Sequence, residues 1–122
     1  MEEDEKMKNN AIVEKSMDFA VRIVKLSRYL SEEKNEYILS KQVLRSGTSI
    51  GANVREAIYG YSRNDFTAKM SIALKEASET EYWLELLMKT EYLTEKQYKD
   101  IDADCSEIAK LLTTIVRSTK NQ

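Results

Sequence analysis

The sequence predicts an all-α protein, folded as an antiparallel up-down-up-down four-helix bundle. Its 122 residues contain no proline and three glycines, so little interrupts long helices. Apolar residues recur at three- and four-residue steps through four segments, and no segment alternates as a strand would. The connections between these segments are short, which places consecutive helices side by side. A chain of this length is expected to form one domain.

The first nine residues are highly charged and lack apolar periodicity, so we expect residues 1–9 to be a disordered tail and 10–120 to be the folded domain. The first helix is predicted at about 10–31, with Asn10 as its N-cap. Its apolar residues spread over roughly half of the helix circumference, which is wider than the stripe needed to cover one core. This width predicts a second buried contact for helix one.

The second helix is predicted at about 36–60 and contains all three glycines, with Gly60 as its C-terminal stop. Glycine weakens a helix interior by up to about 1 kcal/mol relative to alanine, so Gly47 and Gly51 require a reason. We favour a structural one, in which small residues let a neighbouring helix approach closely and bend the segment near Gly51. The alternatives are a break between two shorter helices and a glycine-rich phosphate loop, although that loop needs a preceding strand.

Two polar residues, Asn53 and Glu56, lie within this tightly packed segment. Buried polar groups must be paired, so we expect both to bond across to a neighbouring helix or to cap a broken turn. A ligand contact is the alternative. Together with Gly47 and Gly51, they form a structural signature of helix two.

The third helix is predicted at about 63–91, after a short polar turn. Its principal apolar seam consists of Phe66, Met70, Ala73, Ala77, Thr80, Leu84 and Met88. A second apolar stripe consists of Ile72, Trp83, Leu86 and Leu87. A tryptophan outside the main stripe often marks an interface, so we expect this stripe to contact another subunit. The alternative is that Trp83 only covers a gap at the edge of the bundle.

The fourth helix is predicted at about 95–119. Thr94 and Gln97 have the spacing of a capping box, and Leu93 and Tyr98 have that of a hydrophobic staple. A heptad seam that includes Cys105 follows. Because helices one and three have apolar surface to spare, we expect a homo-oligomer with subunit contacts on those two helices.

Charge is unevenly distributed along the chain, although its net value is −2. Residues 34–75 carry seven basic against three acidic side chains, and residues 76–107 carry three against ten. Four basic residues on or after helix two form a candidate nucleic-acid-binding patch: Lys41, Arg45, Arg55 and Arg63. Tyr59 lies among them and offers a ring for base stacking. The alternatives are a solvated face and an ion-paired subunit contact with the acidic part of helix three.

The composition offers little for catalysis. The absence of histidine removes the commonest general base and transition-metal ligand, and with them a ferritin-like di-iron site. Cys105 has no histidine partner, so we expect no nucleophilic role for it. Four acidic residues are interpreted as a solvated face, with a hard-cation site as the alternative: Glu76, Glu79, Glu81 and Glu85. We expect no enzyme, metal site or cofactor.

No apolar run approaches the roughly 20 residues that cross a membrane, and the acidic N-terminal segment is unlike a signal peptide. The protein is therefore expected to be cytoplasmic and to have no membrane partner.

One run of helix two carries a family resemblance. Between Arg45 and Arg63 the chain reads RSGTSIGANVREAIYGYSR, and similar short motifs follow at 65–66, 79–81 and 91–93. The core of this pattern is Ser49-Ile50-x-Ala52-Asn53-Val54-x-Glu56. It resembles the bacterial four-helix-bundle proteins named after intervening sequences of 23S ribosomal RNA. This sequence has Gly51 where many members have proline, and Ala57 where glycine is frequent.

The resemblance covers nearly the whole chain and implies a bundle that assembles into a ring, commonly a pentamer, with no known catalytic function. The accessory proteins of diversity-generating retroelements are more distantly similar, and they pair with a reverse transcriptase and nucleic acid. We therefore expect a non-enzymatic, homo-oligomeric scaffold, a pentameric ring, that presents a repeated surface to a macromolecular partner. The alternative is an RNA- or DNA-binding accessory protein that uses the basic patch on helix two.

Overall fold

The computed structural model describes residues 3–120, which form four α-helices and no strand. The helices are α1 (Glu3–Glu32), α2 (Leu39–Ile58), α3 (Arg63–Lys89) and α4 (Glu95–Lys120). Connections of four to six residues join them. Within the described residues, none of these helices combines the length and the hydropathy of a membrane span.

Contacts between neighbouring helices show that they run antiparallel. On α1 and α2, Ser27 donates to the carbonyl of Ser40 at 3.2 Å, whereas the earlier residue Ser16 lies against the later residue Gly51. The same reversal relates α1 to α4 and α2 to α3, in the pairs Lys15–Glu107, Arg22–Asp100, Ser46–Thr80 and Glu56–Lys69. Each helix contacts its two neighbours, which leaves α1 and α3 on one diagonal and α2 and α4 on the other. The predicted up-down-up-down bundle is confirmed.

The start of α1 differs from the prediction. The sequence predicts a disordered tail up to residue 9, but α1 already begins at Glu3, and residues 1–2 lie outside the described part. Glu3, Asp4 and Glu5 occupy the first turn, where negative charge interacts favourably with the helix dipole. Asp4 also pairs with Lys8 at 3.5 Å, one turn later. The charges that suggest a tail therefore stabilise a helix end.

The start of α2 is also later than predicted, at Leu39 instead of residue 36. Asn35 has a φ of 54°, which ends the preceding turn in the left-handed region. The Glu36 side chain is buried, and its carboxylate accepts hydrogen bonds from the backbone N–H groups of Ile38 at 3.3 Å and Ser40 at 2.8 Å. Glu36 thus caps the helix instead of belonging to it.

The remaining helix ends follow local signals in the sequence. α2 ends at Ile58 and is continuous through its glycines, so the alternative of two shorter helices is wrong. Ser62 caps α3 by accepting the Asp65 N–H at 3.0 Å. The capping box of α4 is confirmed, because the Thr94 and Gln97 side chains each accept the other's backbone N–H, at 3.1 and 2.9 Å.

The core is formed by the buried stripes of all four helices. On α2 and α4 it contains the predicted apolar seams: Val43, Ile50, Val54, Ala57, Ile101, Cys105, Ile108, Leu112 and Ile115. Two hydroxyls lie at the buried contact between α2 and α3, where Thr80 donates to Ser46 at 2.9 Å. Because the two hydroxyls satisfy each other, polar side chains are accommodated inside an apolar core.

Candidate interaction surfaces

An apolar stripe is exposed on the outer side of α1. It consists of Met17, Val21 and Val24, whose exposed fractions are 47%, 46% and 38%. The spacings of four and three residues place them on one side of the helix. We name this stripe the α1 surface. It is the extra apolar face that the wide helix-one pattern indicates, and within this single chain it is uncovered. The second buried contact stays a prediction.

A groove of about 440 Å³ extends the α1 surface towards α2. Its walls are mostly apolar or small and include Val13, Met17, Ala20, Thr48, Gly51 and Ala52. Arg55 and Glu56 lie at its border. The small residues of helix two therefore create a depression on the outside of the bundle, in addition to letting helices approach inside it.

A second exposed apolar region lies on α3. We name it the α3 surface, and it consists of Ile72, Tyr82, Trp83 and Leu86. Ile72 and Tyr82 are 40% and 59% exposed, whereas Trp83 and Leu86 are half-buried. The Trp83 indole donates to a Glu79 carboxylate oxygen at 2.9 Å, and the Tyr82 ring meets it edge-on with centroids 5.0 Å apart. These contacts hold the indole in a fixed orientation.

Leu87 is a correction to the predicted interface. The sequence predicts it in the exposed stripe with Trp83 and Leu86, but it is fully buried in the core. The seam of α3 continues from Thr80 and Leu84 by a three-residue step, which brings it to Leu87. Met88, which the sequence places on the seam, is only half-buried.

One side chain of the predicted basic patch, Arg45, is already paired with carboxylates of α3. Arg45 pairs with Glu79, and with Glu76 at 3.5 Å, so it meets the acidic part of helix three within one chain, whereas the alternative places this pairing between subunits. The Trp83 indole and the Arg45 guanidinium hold the pKa of Glu79 below its usual range, which keeps this carboxylate ionised.

The other members of the patch, Lys41, Arg55 and Arg63, are exposed, and within residues 3–120 no carboxylate pairs with them. Tyr59, which lies between Arg55 and Arg63 in the chain, is 78% exposed. Lys41 and Arg55 are separated by about 21 Å along the helix axis, at 1.5 Å per residue. The patch is therefore a line of separate charges.

The signature residues of helix two have separate structural roles. A Cβ built on Gly47 would lie 2.8 Å from two side-chain carbons of Ile23, so α1 approaches α2 most closely there. Glu56 pairs with Lys69 of α3 at 3.6 Å, which is the expected contact across helices. The expectation for Asn53 is wrong, because its amide donates at 2.8 Å to the carbonyl of Ser49, one turn earlier in the same helix.

An acidic cluster lies between α3 and α4. Burial raises the pKa of Glu81 and of Asp102, and nearby charge raises each pKa further, through Asp102 acting on Glu81 and Glu85 acting on Asp102. One Asp102 oxygen is buried and has no hydrogen-bond partner. Among the described residues, no three cysteine or carboxylate side chains come together as a metal site.

Cys105 lies beneath this cluster in the core. Its thiol lies 3.4 Å from the Ala77 carbonyl, to which it donates. Burial raises the pKa of the Cys105 thiol far above its ordinary value, so the reactive thiolate is not populated at neutral pH.

These features define a small four-helix-bundle protein with two exposed apolar surfaces and a row of outward basic side chains. The chain belongs to the 23S rRNA-intervening sequence protein family, whose model matches residues 8–114. It is similar to the crystal structure of a protein of unknown function from the S23 ribosomal protein family of Bacteroides thetaiotaomicron, with a TM-score of 0.89 and 58% sequence identity. That match covers 90% of this chain and 98% of the other. Among proteins with curated descriptions, none matches.

Proposed function

We propose that this protein is a non-enzymatic scaffold that assembles with copies of itself into a pentameric ring and presents a repeated surface to a macromolecular partner. The observation that carries the proposal is the presence of two separate apolar surfaces on one small bundle. Exposed apolar surface of this kind is typical of protein–protein contacts. The family resemblance supports the ring and its five-fold symmetry.

The distribution of exposed apolar side chains supports assembly rather than chance exposure. They lie on α1, on α3, and around the two ends of α2, at Tyr37, Ile38, Ile58, Tyr59 and Tyr61. Among the described residues of α4, no large apolar side chain is exposed. Random exposure would affect all four helices alike, whereas subunit contacts need only two of them.

The proposal of a non-enzymatic role rests on side-chain chemistry. The chain contains no histidine, and its one cysteine is buried with a raised pKa. The family match and the similar crystal structure indicate no activity. A cytoplasmic location for the scaffold stays a prediction.

Native mass spectrometry of the purified chain tests self-assembly. We expect a multiple of the 14.1 kDa chain mass, with five copies as the predicted number. A species of one chain at micromolar concentration would contradict the proposal. A different number of copies would contradict the pentamer and leave self-assembly intact.

Nucleic-acid binding is the second candidate function, and the observation in its favour is that Lys41, Arg55 and Arg63 are exposed and pair with no carboxylate of the described residues. Arg45 contributes less, because Glu76 and Glu79 already neutralise it. A symmetric assembly would repeat these charges and increase a weak affinity through avidity.

Fluorescence anisotropy with a labelled single-stranded RNA tests this candidate at about 50 and 200 mM salt. Phosphate contacts predict affinity that falls steeply with salt, because counterions are released on binding. The double variant Arg55→Glu, Arg63→Glu should lose binding, and Lys110→Glu on α4 is the matched control. Equal binding by both variants would contradict this function.

A further inference from the structure

We infer that the end of the bundle where α1 and α3 begin and α4 ends is a binding site for a small molecule that carries a carboxylate on a short apolar group. A cavity of about 310 Å³ lies at this end, and side chains of these three helices line it. Sites of this kind in helical bundles are built from side chains on facing helices. The cavity lies within one chain, so the inference does not depend on the self-assembly proposed above.

The cavity occupies the position of a further core layer. On α3, the buried seam extends from Met70 towards the N-terminus by steps of four and three residues, to Phe66 and Arg63. On α4, it extends from Ile115 by four residues to Thr119. Both extensions line the cavity. The core-facing side of each helix therefore continues into the cavity wall, where it becomes partly polar.

The same change from apolar to polar side chains occurs on α1. Its buried residues begin at Ile12. The same spacing, extended towards the N-terminus, leads to Glu5, Lys8 and Asn9, which are half-buried and line the cavity. Removing charged groups from water is costly unless a partner compensates, so core-facing positions normally carry apolar side chains. Polar side chains at such positions on three helices indicate a site for a polar ligand group instead of core packing.

The floor of the cavity suits the apolar part of the ligand. Ile115 is only 4% exposed, and the half-buried Phe66 ring packs against the core. The cavity volume is at the lower limit for small-molecule sites, which span about 300–1,000 Å³. A single ring or a short alkyl chain therefore fits, and it would complete the missing apolar layer.

The charges of the lining favour an anion. Arg63 is exposed and pairs with no carboxylate of residues 3–120. Lys8, whose side chain is 30% exposed, pairs with Asp4 at 3.5 Å, but Asp4 is 81% exposed and such a pair contributes little. Glu5 is the acid among the described lining residues, and it already makes an interaction of its own. Two bases against one acid select a carboxylate, which a guanidinium binds through paired hydrogen bonds.

Isothermal titration calorimetry of the full chain with phenylpropionate and with hexanoate tests the site. We expect one molecule per chain, and the neutral amide phenylpropionamide should bind about tenfold more weakly than the acid. Arg63→Gln should weaken carboxylate binding by about tenfold, because the guanidinium is lost. Arg117→Gln removes an exposed arginine at the same end that does not line the cavity, and this matched control should bind as the wild type does.

Ser118→Leu tests the position of the site by filling the cavity with an apolar side chain. We expect it to abolish binding, with helices retained by circular dichroism and an unfolding temperature that is unchanged or higher. Binding that survives this substitution would place the ligand elsewhere and overturn the inference. Equal affinity for the acid and the amide, or wild-type affinity in Arg63→Gln, would also overturn it. So would the absence of both binding heat and thermal stabilisation at millimolar carboxylate, since a ligand that binds the folded chain raises its stability.

Discussion

At Gly47 the missing side chain sets how closely two helices approach. A methyl group at this position would meet Cγ1 and Cγ2 of Ile23, a β-branched side chain with little freedom to move. At Gly51 the nearest atom to such a group is the Ser16 carbonyl oxygen at 3.4 Å, which is an ordinary contact distance. The two glycines of one helix therefore have different roles, although the sequence presents them alike.

We predict that Gly47→Ala lowers the free energy of unfolding by about 1–2 kcal/mol, because overpacking outweighs the gain in helix propensity. Gly51→Ala is the matched control, and it should be neutral or stabilising by up to about 1 kcal/mol. Urea unfolding at one fixed protein concentration measures both variants. Equal effects of the two substitutions would contradict the close approach at Gly47.

Asp102 is the second residue at which the structure predicts a specific energetic effect. Its buried oxygen lacks a hydrogen-bond partner, and Glu81 and Glu85 of α3 place further negative charge near it. Because the pKa values of Asp102 and Glu81 are raised in the folded chain, folding favours their protonated forms. Their charge therefore lowers stability at neutral pH, and this penalty is relieved as the pH falls through the raised pKa values.

We predict that Asp102→Asn raises the free energy of unfolding at pH 7 by about 0.5–1 kcal/mol, which allows for partial exposure of the group. The gain should shrink as the pH falls through the raised pKa of Asp102 and be absent below about pH 3, where this carboxyl group is protonated in both the folded and the unfolded chain. Urea unfolding across this pH range is the measurement. Asp100→Asn is the control, since Asp100 pairs with Arg22 and its loss should not stabilise the fold. A gain that does not depend on pH would contradict the electrostatic origin.

At the scale of single helices, some N-terminal caps depend only on residues a few positions apart, whereas others depend on burial against the rest of the bundle. The capping box of α4 joins residues three positions apart, so it can be recognised from sequence spacing. The cap of α2 is different, because Glu36 is buried against the bundle and reaches backbone groups two and four residues ahead. No standard spacing identifies such a cap, which explains why sequence periodicity predicts the start of α2 three residues too early.

We predict that Thr94→Ala lowers the free energy of unfolding by about 1 kcal/mol, because the Gln97 N–H loses its side-chain acceptor. Thr114→Ala is the matched control in the exposed interior of α4, where alanine is the better helix former. It should be neutral or slightly stabilising. Thermal unfolding compares the two, and a loss of equal size at both sites would show that the cap contributes nothing specific.

In the complete bundle both apolar surfaces are displaced towards α2, because the groove carries the α1 surface onto Gly51 and Ala52 and Trp83 bonds to Glu79, which pairs with Arg45 of α2. If these two surfaces form the subunit contacts of the proposed ring, α2 lines its inner wall. The row of Lys41, Arg55 and Tyr59 then faces inwards, whereas α4, with no large apolar side chain exposed among its described residues, faces outwards. Any partner recognised through the basic row would have to enter the ring. A partner recognised through α4 would bind its outer wall.

We predict that a cysteine at position 41 is protected by assembly and one at position 110 is not. Lys41→Cys and Lys110→Cys, each labelled with a bulky polyethylene-glycol maleimide, are compared in the wild-type background and in Val21→Glu, where a charge on the exposed α1 surface should prevent assembly. Labelling at position 41 should slow several-fold in the assembly, whereas labelling at position 110 should not change. The native Cys105 is buried and adds little background. Protection at position 110 instead would place α4 on the inner wall.

The four helices, the capping box and the seam of α4 can all be predicted from the amino-acid sequence. These features follow from side chains within one or two helical turns of each other, whose relation is set by the helix repeat. The same periodicity indicates that α1 and α3 have apolar surface beyond the needs of one core. Local prediction fails at Asp4 and Lys8, because a charged segment without apolar periodicity is typical of a tail, although these charges are suitably placed for a helix.

Contacts between helices, in contrast, are set by the packing of the bundle. Arg45 and Glu79 are separated by 34 positions, so their pairing, which removes Arg45 from the basic patch, depends on the register between α2 and α3. Register between helices also allows Gly47 to contact Ile23. Leu87 is buried because the bundle continues the three-and-four spacing of its seam to the end of α3. Such outcomes depend on how four helices fit together, and no single helix encodes them.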